Sequence, residues 1–87
     1  MRMWHVAAVG AALLYAGVNA AWAGCNERLD RYQAVVGDDH RTGNVNESVY
    51  VQIERELSRA TAACTAGREA EALSLIHESE VRHGYHP

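Results

Sequence analysis

An apolar run at the start of this chain sets how much of it is left to fold. Met1-Arg2-Met3-Trp4-His5 is a short basic start, Val6 through Val18 is apolar or glycine, and Ala21-Trp22-Ala23 is a small-x-small site followed by Gly24-Cys25. That order of charge, apolar core and small residues is the signature of a secretory signal peptide. A run of about 13 residues is well short of the roughly 20 that a bilayer span needs. The pattern predicts residues 1–23 as a cleaved signal helix and residues 24–87 as one small domain. It places that domain in the periplasm or outside the cell, with no transmembrane anchor after cleavage.

Cleavage after Ala23 leaves 64 of the 87 residues, near the lower size limit for a self-sufficient core. Trp4 and Trp22 depart with the signal, and the chain has no Phe. The candidate core is Leu29, Tyr32, Val35, Val36, Val49, Tyr50, Ile53, Leu57, Leu73, Leu75, Ile76, Val81 and Tyr85, with several alanines. That is a thin set, and a covalent staple would strengthen it. Losing Arg2 takes the formal charge from −3 to −4. With no basic patch and no aromatic ladder among the arginines, nucleic acid and anionic membrane surfaces are poor partners.

Cys25 and Cys64 are the only cysteines. In an exported protein the simplest use of two cysteines is one disulfide. Closing a loop of about 40 residues contributes roughly 4 kcal/mol in the chain-entropy picture. A rival reading makes Cys25 a lipid-modified N-terminus, because Ala23-Gly24-Cys25 fits the end of a lipoprotein signal. Trp22 then stands where such signals usually carry Leu. Free thiols are the third option.

Asn26 and Glu27 suit a helix start. Cys25, Leu29, Tyr32 and Val36 follow at spacings of three and four, the stripe of a short amphipathic helix that Gly37 can end. Residues 37–44 are polar with two glycines and read as a loop. Asn46 offers a second N-cap, and Val49, Ile53, Leu57, Ala60 and Cys64 form a long stripe behind it. Gly67 punctuates, Arg68 through His83 is rich in helix formers, and Gly84 stops the run. The fold class expected is all-α, a two- to three-helix bundle with no strand. A Cys25–Cys64 bridge suits a hairpin of the first two helices. At 1.5 Å per residue, about 12 residues of helix one against about 18 of helix two leaves the ends roughly 9 Å out of register. Extending helix one past Gly37, or folding the loop along the longer helix, would absorb that.

Cys25, a charged amphipathic segment, the Gly43-Asn44 loop and a long helix ending at Cys64 resemble small uncharacterised periplasmic proteins of Gram-negative bacteria, built as helical hairpins with paired cysteines. The resemblance covers residues 1–66. It implies a periplasmic helical hairpin and brings no catalytic residues with it.

Chemistry-bearing residues are few. His77, Glu80, His83 and His86 lie close together in sequence, and such N and O ligands suit a metal. They lack the spacing of H-E-x-x-H, and the reading preferred here is a polar helix face followed by a frayed tail, with no metal. Asp38/Asp39, Glu54/Glu56, Glu69/Glu71 and Glu78/Glu80 read as solvated faces rather than acid–base pairs. The serines lack a nucleophile-elbow context. Asn46-Glu47-Ser48 matches a glycosylation sequon, but Asn46 is already explained as a cap. The sequence therefore describes an exported helical protein of structural or protein-interaction type, with no cofactor, no catalytic activity and an unspecified protein partner. The alternatives are metal binding through the C-terminal histidines, or a lipoprotein anchored through Cys25.

Overall fold

Three helices form, and each of them ends on a glycine. The computed structural model describes residues 24–85. Residues 1–23, read above as a signal segment, and residues 86 and 87, with the candidate ligand His86, lie outside the described residues. Helix α1 covers 24–42, α2 is Glu47–Thr65 and α3 is Glu69–Arg82. No strand occurs among the described residues, and Val49-Tyr50-Val51 is helical.

Gly43, Gly67 and Gly84 all have φ near +80°, the left-handed conformation that glycine adopts without a Cβ clash. At each one the amide of the next residue bonds back across the last turn. Asn44 N donates to Asp39 O at 2.8 Å, Arg68 N to Ala63 O at 2.9 Å and Tyr85 N to Glu80 O at 2.7 Å. The glycine amides themselves donate to His40, Cys64 and Val81. This is the Schellman pattern, which satisfies carbonyls that a helix end leaves open.

Gly37 does not end α1, contrary to the sequence reading. It lies inside the helix at negative φ. An interior glycine costs up to about 1 kcal/mol against alanine, and packing on both sides outweighs that. Val36 is fully buried, and Asp39 accepts a hydrogen bond from Tyr85. The tip between α1 and α2 is fastened by His40, whose ring stacks on Tyr50 at 3.7 Å and whose Nε2 lies 2.7 Å from Glu47. Asn46 caps α2 by accepting from Val49 N and from the Ser48 hydroxyl.

The longer α1 removes the register problem. Cys25 through Thr42 and Glu47 through Cys64 are equal lengths of helix, so the hairpin's open ends meet. Cys25 and Cys64 are disulfide-bonded, with Cα atoms 6.0 Å apart. Helix α3 lies across both arms, parallel to α1 and antiparallel to α2. Buried Cys25, Leu29, Tyr32 and Val36 from α1, Ile53, Leu57, Ala60, Ala63 and Cys64 from α2, and Ala72 and Ile76 from α3 form one core. Val49, Tyr50, Leu73, Leu75 and Tyr85 pack at its edge. Two candidate core residues fall outside it: Val35 is 49% exposed and Val81 57%. Each sits one position off its helix's buried stripe, a turn of about 100° away.

Candidate functional site

The polar residues of interest lie between the helices, where sequence reading placed solvent. On α3, Ser79 follows Ile76 by three positions and Ala72 by seven, so it continues the buried stripe and is fully buried itself. On α2, Glu56 lies three after Ile53 and four before Ala60, at the edge of that helix's buried stripe. On α1, Tyr32 belongs to the core. These three side chains meet.

The Tyr32 hydroxyl is 2.9 Å from Ser79 Oγ, and Ser79 Oγ donates to Glu56 Oε1 at 2.5 Å. A serine hydroxyl has one proton to give, and here the carboxylate takes it. Tyr32 is therefore the donor to Ser79, and the chain runs one way, from phenol to hydroxyl to carboxylate. Arg82 Nη1 donates to Glu56 Oε2 at 2.6 Å, and His83 Nε2 faces both carboxylate oxygens at 3.1 and 3.4 Å. The side chains of His83 and Glu56 are only 8% and 13% exposed. Alongside, Arg28 of α1 donates to Glu80 of α3 at 2.6 Å. Tyr85 donates to Asp39 at 2.8 Å, and its ring meets Tyr32 edge to face at 5.4 Å.

Environment sets the ionisation of this seam. Burial alone would push the Glu56 carboxyl up, but the Ser79 hydroxyl, Arg82 and His83 outweigh it and hold it below its ordinary value of 4.5. The Tyr32 phenol is raised, chiefly by burial. The Tyr85 phenol is pushed up to about 12 by burial and by its bond to the Asp39 carboxylate.

Serine, glutamate and histidine in contact invite comparison with acyl-transfer machinery, and the order is wrong for it. There the imidazole stands between hydroxyl and acid and takes the hydroxyl proton. Here the glutamate stands between Ser79 and His83, and it is held in its weakly basic, ionised form. Ser79 is also fully buried. Every buried side-chain N or O atom among the described residues has a hydrogen-bond partner, so none is left aimed at a ligand. The arrangement is suited to orienting three helices against one another.

Two expectations need correction. The carboxylate pairs are not all solvated: Glu56 and Glu80 face inward, with Glu80's side chain 8% exposed. Residues two apart on a helix point about 200° apart, so Glu80 turns inward while Glu78 stays exposed. Nor do the C-terminal histidines all lie on a polar, solvated face, since the His83 side chain is 8% exposed. His77 is exposed beside Glu78, Val81 and Arg82 on a shallow outer depression. His83 is turned to Glu56, and Glu80 to Arg28. Among the described residues, no three metal-ligating side chains are brought together.

The sulfur chemistry is settled by the bridge. Cys25 and Cys64 are both buried in it. The Asn26 Oδ1 contact at 3.6 Å from Cys64 Sγ is not a bond donated by sulfur, because a disulfide carries no S–H proton. No helix among the described residues is long and apolar enough to cross a membrane. Comparison of the chain with protein-family models, curated proteins and solved structures gives no match.

The buried polar residues had a signal in the sequence. Extending the α3 stripe from Ala72 and Ile76 leads to Ser79 and His83, polar residues at core positions. Reading the apolar residues alone passes over them.

Proposed function

We propose that this protein is exported, loses residues 1–23, and acts outside the cytoplasm as a small structural or protein-interaction module without catalytic activity. The observation that carries this reading is the internal Cys25–Cys64 bridge, a linkage that persists in oxidising compartments. It agrees with the signal-like start of the chain. A lipid anchor through Cys25 would need the same sulfur for a thioether, so the bridge and the anchor exclude each other. The non-catalytic part rests on the seam, whose buried polar atoms are mutually satisfied and whose serine donates to an ionised carboxylate.

Intact-mass analysis of protein isolated from its native host tests this. The expected mass is that of residues 24–87 less two hydrogens, with no acyl groups. A chain beginning at Met1, or a mass increased by a diacylglyceryl group at Cys25, overturns the proposal.

A further inference from the structure

The disulfide closes only part of the bundle. Its loop runs from Cys25 to Cys64, so α3 lies wholly outside the covalent ring. It is joined to the hairpin through the turn at residues 66–68 and is otherwise held by side chains. Its fully buried apolar residues are just Ala72 and Ile76. Glu69, at its start, lies against Gly24 of α1; the attachments toward its C-terminal end and just beyond it, apart from the Tyr32–Ser79 bond, end on carboxylates. Ser79, Arg82 and His83 bind Glu56, Arg28 binds Glu80, and Tyr85 binds Asp39.

We propose that α3 is an acid-released strap on a covalently closed α1–α2 hairpin, and that its release uncovers the hairpin's apolar face. Protonating Glu56 removes the charge that Arg82 and His83 meet. It also replaces an acceptor with a second donor facing the Ser79 hydroxyl. The groups facing Glu56 are Ser79, Arg82 and His83 from α3 and, through Ser79, Tyr32 from α1. Glu80 faces Arg28, and Asp39 faces Tyr85. Release therefore waits for Glu56, whose carboxyl is held below its ordinary value by the groups around it, and belongs to the acid range. Once Glu56 is neutral, Arg82 and His83 are left with no anion between them. The face uncovered contains Tyr32, Val36, Ile53 and Leu57, all buried when α3 is docked. The hairpin itself stays closed, because its staple does not titrate.

Native-state hydrogen exchange of the oxidised protein, corrected for intrinsic rates, distinguishes local release from global unfolding. Near neutral pH both α2 and α3 are expected to be protected. At about pH 3, amides 76–82 of α3 should lose at least about tenfold more protection than amides 53–60 of α2. Glu56→Gln should bring that loss to neutral pH. Arg82→Gln, at a half-exposed position, should speed α3 exchange several-fold without disturbing α2, and it serves if Glu56→Gln does not fold. Equal loss of protection in α2 and α3 at both pH values overturns the proposal. So does α3 exchange that is unchanged in the variant.

Discussion

Breaking the Cys25–Cys64 bridge should bring this protein to the edge of unfolding. The sequence separation is 39, and the chain-entropy relation for a loop of that size gives about 13 cal/mol/K, or about 4 kcal/mol at 25 °C. Both cysteines are buried, so replacing them with alanine also leaves two small voids, each worth up to about 1 kcal/mol. A core below about 70 residues rarely supplies more than about 3–5 kcal/mol in total. The loss is thus comparable to the whole stability.

The assay is urea denaturation followed by far-ultraviolet circular dichroism on the oxidised parent, on Cys25→Ala, on Cys64→Ala and on the double variant. The slope should rise when the bridge is removed, because an uncrosslinked denatured chain exposes more surface. The strongest check is non-additivity. Either single variant already abolishes the bond, so the double should lose about as much as each single rather than their sum. Midpoints that match the parent's would show that the bridge contributes nothing. Additive losses would show that the two sulfurs act through packing instead of through a shared bond.

Three further outcomes follow from the packing and the seam. Gly37→Ala should stabilise by about 0.5–1 kcal/mol, because the residue is helical and a Cβ there meets nothing within 4 Å; a lowered melting temperature would contradict this. Ile53→Ala should cost about 2–5 kcal/mol, since the side chain is fully buried, whereas exposed Arg55→Ala should change stability by less than about 0.5 kcal/mol; equal sensitivity in thermal melts would mean that the buried face of α2 is misassigned. Stability should fall off at both ends of the pH scale. The Glu56 carboxyl is depressed when folded, so its contribution is present above the ordinary value and is lost as pH falls through the folded one. Tyr85 is raised from 10.0 to about 12, so its contribution is present below pH 10 and is lost as pH rises toward 12. Denaturation midpoints across pH check the first, and phenolate absorbance with Tyr85→Phe as control checks the second. A flat acid limb, or all phenols titrating together near 10, would refute them.

Helix identity was legible because the apolar periodicity was long. Val49, Ile53, Leu57, Ala60 and Cys64 hold one face for more than four turns, and four of them are buried. Gly67 and Gly84 were correctly read as stops. Gly37 was misread because a glycine's effect depends on the backbone conformation it adopts. Inside α1 it is only a weak helix residue, and the left-handed turn that ends the helix occurs six residues later at Gly43. That single boundary also governed the disulfide geometry. Ending α1 at Gly37 leaves the hairpin ends staggered, and ending it at Thr42 makes the two arms match.

The polar seam was harder to read because hydrophobicity marks what must be buried and not everything that is. Residues 24–87 contain neither Phe nor Trp and cannot fill three helix faces with large apolar side chains. Ala72 and Ile76 are generic contacts that would tolerate some sliding or rotation of α3. Ser79 would not. A single-residue change of register turns it about 100°, away from both Tyr32 and Glu56, and strands a phenol and a carboxylate that are largely shielded from water. Unpaired buried polar groups cost about 1–3 kcal/mol each, and charged ones more, which makes the alternatives worse even if the correct register gains little. Seen this way, the seam selects among packings of α3 more than it adds to stability. The same dependence on an ionised Glu56 makes that selection sensitive to acid.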